Sequence, residues 1–535
     1  MKKNMKKHEA SYAGYVYKKP VSYWSETEEV KKHLTKVSFS KKSKIERGGI
    51  PIISDGKTAY IDSDDGHTAI IASSGMMKSL SCFTPLIYTL GRSNTPENMV
   101  ITDPKGELYN LTAGMLREDG YKVFCIDFRS MDKDCFNILK YAAQIYRNGN
   151  KDQGLSLLSN IVNTLSEDQR KITKDVFWSD TSRMYMNATG ALMFESYPNI
   201  EQINVLNWSD FNTLDCAKYI ESSFLSAMPD NMIKSSLMQI LSSPENTLRC
   251  ILVSAAGCFG VFNQNPKLSR MLSHNTFELD DLLKPKTALF IVTDDTTSTS
   301  DPIVGIIISQ IQSFLIDKAY HSKDGHLKTR INFVLDEFAS IPIPNMDKAL
   351  ATHRSRNIRY YLCVQSLALL NERYQNPEKL LSNCTSTLYL GSTELELLNN
   401  LEAKLGNTNI TPDGIEKPLC SITDLMMLKK EWNYKEAIYI NISKGIKYST
   451  ILPSIYIYDN KKYKVPSYDM NPPEVEIYSP STFIDSILDR DIPLPFYDDF
   501  KEEEKTDTKI AEESKITYID HFFNEVLDSS DDEEE

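Results

Sequence analysis

Lys78 and Ser79 stand at the end of HTAIIASSGMMKSLS (67–81), where an apolar run passes through a turn of small residues into a Lys-Ser pair. That order suits phosphate chemistry. Backbone N–H groups turn inward around a triphosphate, a lysine reaches its outer phosphates, and a hydroxyl ligates Mg²⁺. The candidate loop is Ser73, Ser74, Gly75, Met76, Met77, Lys78, Ser79 and Leu80. Ala72 and Met77 occupy places that usually hold glycine, and Met77 brings a Cβ and a long side chain to a point where backbone approaches phosphate or takes a special conformation. Taken alone, the stretch fits a plain strand, turn and helix equally well.

A second candidate lies in INFVLDEFASIP, where Asp336 and Glu337 directly follow an apolar strand. A carboxylate at the end of a strand facing a phosphate loop can hold the Mg²⁺ shell, which gives Ser79 and Asp336 as metal candidates, and the next one can polarise a water for attack on a γ-phosphate. Gln365, at the tip of the strand RYYLCV, is placed to sense that phosphate or the attacking water. The spacing predicts a helix over Asn345–Arg356, with Asn345 as N-cap and Asn357 as its left-handed terminator. Arg354 and Arg356 fall in its last turn, where they either complement the helix dipole or serve as an arginine finger toward a neighbouring subunit. His353 reads as a helix-surface residue.

The elements that must carry these residues are short apolar runs at 67–71, 99–102, 122–126, 288–293, 331–335, 359–364, 387–390 and 437–442. Near-continuous apolar runs alternating with helical stretches predict an α/β fold around a mainly parallel sheet. Between 142 and 283 the apolar spacing turns helical: Leu155, Leu158, Ile161, Val162 and Leu165 make one stripe, and Trp178, Thr181, Tyr185, Ala188 and Leu192 another. The expected organisation is a basic N-terminal arm (1–49), a nucleotide-binding domain (50–141 and 284–460), an all-α insert (142–283), a C-terminal extension (461–497) and an acidic tail (498–535). In the tail, Ile519, Phe522, Phe523, Val526 and Leu527 share one face of a short amphipathic helix, expected to dock in a partner's groove in preference to packing back on the body.

The 535 residues exceed what one hydrophobic core supports, so two or three domains are expected. The net charge of −13 is uneven. Residues 498–535 carry 16 acidic and 4 basic side chains, a net of −12; residues 1–49 carry 13 basic and 5 acidic, a net of +8; the middle is therefore −9. No globally basic surface advertises nucleic acid, although a ring can hide a basic pore inside an acidic exterior. The nine cysteines show no zinc or disulfide spacing and the eight histidines no ligand spacing, which argues for a reducing compartment and against a metal nuclease. No run reaches the ~20 apolar residues of a membrane span, and Ile303–Ile316 looks short and interrupted. Cytoplasmic residence is expected, and the lysine-rich head is either a solvated arm or a contact for anionic lipid.

Six stretches, VITDPKGELYNLTAGMLREDGYKVFCIDF, DVFWSDTSRMYMNATGAL, FELDDLLKPKTALFIV, FVLDEFASIP, ATHRSRNIRYYLCVQSLALL and LLSNCTSTLYLGS, together span roughly 67–455. In these the chain resembles the coupling proteins of type IV secretion systems. The resemblance implies a RecA-like P-loop domain with an inserted all-α domain, forming a homo-oligomeric ring that hydrolyses ATP with Mg²⁺ and moves single-stranded DNA, with its relaxase, toward the transfer channel. By that likeness Lys78 and Ser79 bind phosphate and Mg²⁺, Asp336 and Glu337 form the second acidic site, Gln365 senses the γ-phosphate, and Arg354 or Arg356 is the finger. Asp103, Lys105 and Glu107 line the site or link it to the ring interface. Family members usually begin with membrane-spanning helices, which are not found here, so the link to the membrane is expected to run through a membrane-protein partner or to be absent. The substituted loop and the tail leave a second expectation: a non-hydrolysing cargo receptor with a degenerate nucleotide site.

Overall fold

Strands buried on both faces favour near-continuous apolar runs, and the runs above contribute eight strands to a nine-stranded sheet, with polar side chains such as Arg330, Asn332 and Arg359 also buried within it. In chain order its strands are β1 (His67–Ala72), β2 (Glu97–Asp103), β3 (Lys122–Asp127), β4 (Thr287–Val292), β5 (Arg330–Leu335), β6 (Ile358–Val364), β7 (Cys384–Gly391), β8 (Tyr434–Asn441) and β9 (Ile446–Pro453). Across the sheet they lie in the order β9-β8-β7-β1-β6-β5-β2-β4-β3. From β7 to β3 every neighbouring pair is parallel, while β8 and β9 add an antiparallel hairpin at one edge. The computed structural model describes residues 8–475 apart from 13–14, 20–21, 40–44, 173–175, 229, 295–297, 375, 410–415 and 469–472. Ile519, Phe522, Phe523, Val526 and Leu527 lie outside the described residues.

The alternation of side chains along each strand feeds two layers. Val334, Tyr361 and Cys363 point into a core shared with helices α1 (Thr84–Gly91) and α2 (Glu107–Glu118) and with a small antiparallel sheet of Thr35–Ser38, Ile50–Ser54 and Thr58–Asp62. Residues 22–39 of the basic N-terminal stretch are therefore no free arm: Val30, Leu34 and Val37 are buried, and Ser25 N donates to Lys447 O at 2.8 Å. Between β3 and β4 the described elements are all helices, including the long α3 (Lys151–Ile172) and α4 (Val176–Ser196). All nine cysteines are free and most are buried.

Helix α5 (Asp301–Tyr320) covers the second face of the sheet, where Gln312 Nε2 donates to Tyr360 Oη at 3.0 Å. The run 303–316, expected to be short and interrupted, lies inside this unbroken helix of 20 residues, the one helix among the described residues long and apolar enough to cross a membrane by length and composition, and 72% of its apolar window is buried inside this fold. Its glycine has a steric reason. A Cβ on Gly305 would lie 2.2 Å from the Pro342 carbonyl oxygen, in the loop that follows Glu337. Gly305→Ala is expected to destabilise the protein by about 1–3 kcal/mol, the clash outweighing the gain in helix propensity, as read by urea unfolding.

His353 is buried, not on a helix surface. Because Gln312 donates to Tyr360 Oη, the tyrosine is left to donate to His353 Nδ1 at 2.7 Å. Burial pushes the imidazole pKa down to about 4. The folded pKa lies below the unfolded value of about 6.5, so the unfolded chain binds the extra proton and stability falls as pH drops from 6.5 toward 4. Over that window the parent is expected to lose about 3 kcal/mol more than His353→Gln, as measured by urea midpoints at each pH.

Candidate functional site

The loop leaves β1 at Ala72 and is anchored at once, since Ser73 N donates to Gly391 O at 2.9 Å. Two left-handed residues turn it: Gly75 at φ +77 and Met77 at φ +59. A Cβ on Gly75 would meet no atom within 4 Å, so glycine serves conformation there rather than space. Met77 holds the conformation its position demands without being glycine, at a cost of about 1–2 kcal/mol. Met76 turns the other way and packs beside β7, its sulfur 3.1 Å from where a Cβ on Gly391 would sit. Lys78 then leads into a π-helical turn, Ser79–Phe83, that continues as α1.

Lys78 Nζ lies 2.7 Å from Asp336 Oδ1 and 3.4 Å from Glu337 Oε1. The methionines therefore do not separate the cation from the acids. Sheet order explains the meeting: β6 alone lies between β1 and β5, and all three strands present their C-terminal ends at one edge. Thr102 on β2 donates to the Asp336 carbonyl at 2.9 Å, and Glu337 N donates to Asp336 Oδ1 at 3.0 Å. Glu337 itself sits at φ +55, which turns its side chain out of the strand direction. Burial pushes the Asp336 carboxyl up, against the pull of Lys78. Burial also works against the Lys78 ammonium, but Cys363, Asp336 and Glu337 more than offset it and hold its pKa above the ordinary lysine range. Asp103 closes the same edge from β2, where burial pushes its pKa up to about 6 although its carboxylate accepts from Tyr109 N at 2.7 Å. Lys105 and Glu107 are exposed beyond it.

Gln365 follows β6 directly and so stands between the loop and the two acids in sheet order. Two residues that sequence reading missed hold its surroundings. Glu394, beyond β7, accepts from Leu367 N at 2.8 Å and Ala368 N at 3.0 Å, fixing the turn after Gln365. Tyr374 donates to Ile341 O at 2.5 Å, accepts from Ile343 N at 3.2 Å and stacks on Phe338 with ring centroids 5.0 Å apart. It thereby ties the end of the helix after Gln365 to the loop after Glu337. Nothing in the local sequence of either residue signals these long-range contacts.

Arg354 and Arg356 are not brought to this cluster. The expected helix is shorter, Met346–Thr352, and Asn345 takes φ +57 without capping it through its side chain; a 3-10 turn, His353–Arg356, then ends at Asn357 with φ +65. Both arginines precede β6, whereas Gln365 follows it, so they lie at the opposite edge of the sheet, about 20 Å from the acids at ~3.3 Å per residue. Arg356 Nη1 donates to Gly325 O at 2.6 Å, and Arg354 is exposed.

A largely buried ammonium, an adjacent hydroxyl and a bank of carboxyls at one sheet edge make a donor set suited to a phosphate chain with a divalent cation. A description of the type IV secretory system conjugative DNA transfer family matches residues 22–437. The conjugal transfer protein TraG of Escherichia coli is 25% identical over 193 residues, 34% of this chain and only 30% of that protein's length. Among solved structures, the bacterial conjugative coupling protein TrwB lacking its N-terminal 70 residues matches with a TM-score of 0.57 at 14% identity, over 86% of this chain and 97% of that one. TrwB in complex with ADP and Mg²⁺ matches with a TM-score of 0.55 at 15% identity, over 85% and 97%. These likenesses show a shared fold, a RecA-like α/β arrangement around a mainly parallel sheet. With most of its length covered by the family description, the chain belongs to the conjugative DNA transfer family of type IV secretion, the coupling proteins.

Proposed function

We propose that this chain is an ATP-dependent coupling protein that recruits single-stranded DNA with its bound relaxase and drives it toward the secretion channel. The observation that carries this reading is the direct approach of Lys78 to Asp336 and Glu337 at the end of the phosphate loop. Bound ATP with Mg²⁺ would supply the scissile phosphoanhydride and the charge-neutralising ion. Lys78 would exchange its carboxylate partners for the outer phosphates, freeing Asp336 for the ion's water shell and Glu337 to take the proton of an attacking water. Ser79 would offer its hydroxyl to the ion, and Gln365 would orient the water. Arg354 or Arg356 would complete the centre of an adjacent subunit in a ring. The protein would work at the cytoplasmic face of the membrane, held there by a membrane-protein partner.

The same ion pairs favour a second reading. A lysine already satisfied by two carboxylates, behind a loop with methionine at a glycine position, also suits a receptor that gathers cargo without hydrolysing nucleotide. ATP hydrolysis with and without single-stranded DNA separates the two. A parent that exceeds Lys78→Ala, and does so more strongly with DNA, supports the motor. A parent no faster than Lys78→Ala in both conditions leaves the receptor.

A further inference from the structure

The segment that enters β8 folds as a tight turn at the phosphate-loop edge of the sheet. Glu431 N donates to Tyr434 O and Glu436 N to Lys429 O, both at 3.0 Å, and Lys430 pairs with Lys435 as an antiparallel bridge, which leaves Trp432 and Asn433 at the tip. Because β8 runs antiparallel to β7, its start lies at the edge where β1 ends. The turn is fastened twice. The buried Lys435 donates to Leu428 O at 3.0 Å and Lys429 O at 3.3 Å, and Lys430 donates to Gly75 O, inside the phosphate loop, at 2.7 Å. Trp432 is nonetheless 77% exposed. A large ring on a fixed turn, bridged to a phosphate loop and left largely exposed by the described residues, is an available stacking surface.

Direction fixes what it would stack on. Glu337 and Asp336 approach Lys78 from the β5 side, so the outer phosphates of a nucleotide held by the loop face that way. The sugar and base must then leave toward the β7 and β8 side, where Lys430 and Trp432 stand.

We propose that Trp432 is the base-stacking residue of the nucleotide site, with Lys430 exchanging the Gly75 carbonyl for an inner phosphate. The inference rests on the nucleotide-binding reading above. Stacking reads a π face and not a hydrogen-bonding edge, so the site would accept adenine and guanine nucleotides with similar affinity.

Calorimetric titration of the full chain with ATP, GTP and inorganic tripolyphosphate tests it, using the parent, Trp432→Ala and Trp432→Phe. Trp432→Ala is expected to weaken ATP and GTP alike by about 10- to 100-fold, Trp432→Phe by less than about threefold, and neither to change tripolyphosphate binding. Trp432→Ala that binds ATP as the parent does, or that loses tripolyphosphate as strongly as ATP, overturns the assignment while leaving the phosphate loop in place. A parent that binds neither ATP nor tripolyphosphate removes the nucleotide reading itself, and this inference with it.

Discussion

Lys78→Ala is expected to abolish ATP binding and to lower the protein's own stability. On the proposed reading the ammonium would be the loop's cation for the outer phosphates, and it is the counter-charge of Asp336, whose side chain is only 6% exposed. Removing one partner of a buried pair leaves the other uncompensated, at a cost of about 3 kcal/mol near neutral pH. Burial already pushes the Asp336 carboxyl up, so acidification neutralises the orphaned group before an ordinary aspartate would titrate. The destabilisation should therefore shrink as pH falls. Urea unfolding of parent and variant at pH 7.5 and pH 5 reads the stability difference, and titration calorimetry reads the binding. A variant that binds ATP normally would remove Lys78 from the site.

Glu337→Gln is expected to slow hydrolysis by about 10²- to 10⁴-fold while leaving nucleotide affinity within a few-fold of the parent. The amide keeps the shape of the side chain and can still accept from Lys78 through its oxygen, so the loop should hold its position. What it loses is the basicity needed to draw a proton from water. Phosphate release under saturating ATP is the measurement. An unchanged rate would take the base role from Glu337 and leave Asp336, two strands from the loop like its neighbour, as the remaining candidate.

The parts that sequence reading located are those whose residue types and strand-end positions already state their chemistry. Lys78, Asp336, Glu337 and Gln365 each end or follow an apolar run, and a parallel sheet collects such ends at one edge. The eight strands from β1 to β8 were legible because burial on both faces favours near-continuous apolar runs, which each of them contains. β9 was not, since it is half exposed along IKYSTILP and its polar positions break the run. His353 was misplaced for a related reason: its neighbours Arg354 and Ser355 are exposed, while Tyr360 and Gln312, from another strand and a distant helix, decide its surroundings. Glu394 and Tyr374 act through contacts that only the assembled sheet creates. The position of the arginines follows from order alone, because residues before a strand and residues after it lie at opposite ends.

That separation has an organisational consequence. Any arginine from the 353–356 turn that meets a phosphate would meet one held by a different copy, so the chemistry would depend on assembly and not on the single subunit. Dilution would then silence intact subunits, and a mixture of copies lacking Lys78 with copies lacking both Arg354 and Arg356 would regain part of what each pure population had lost.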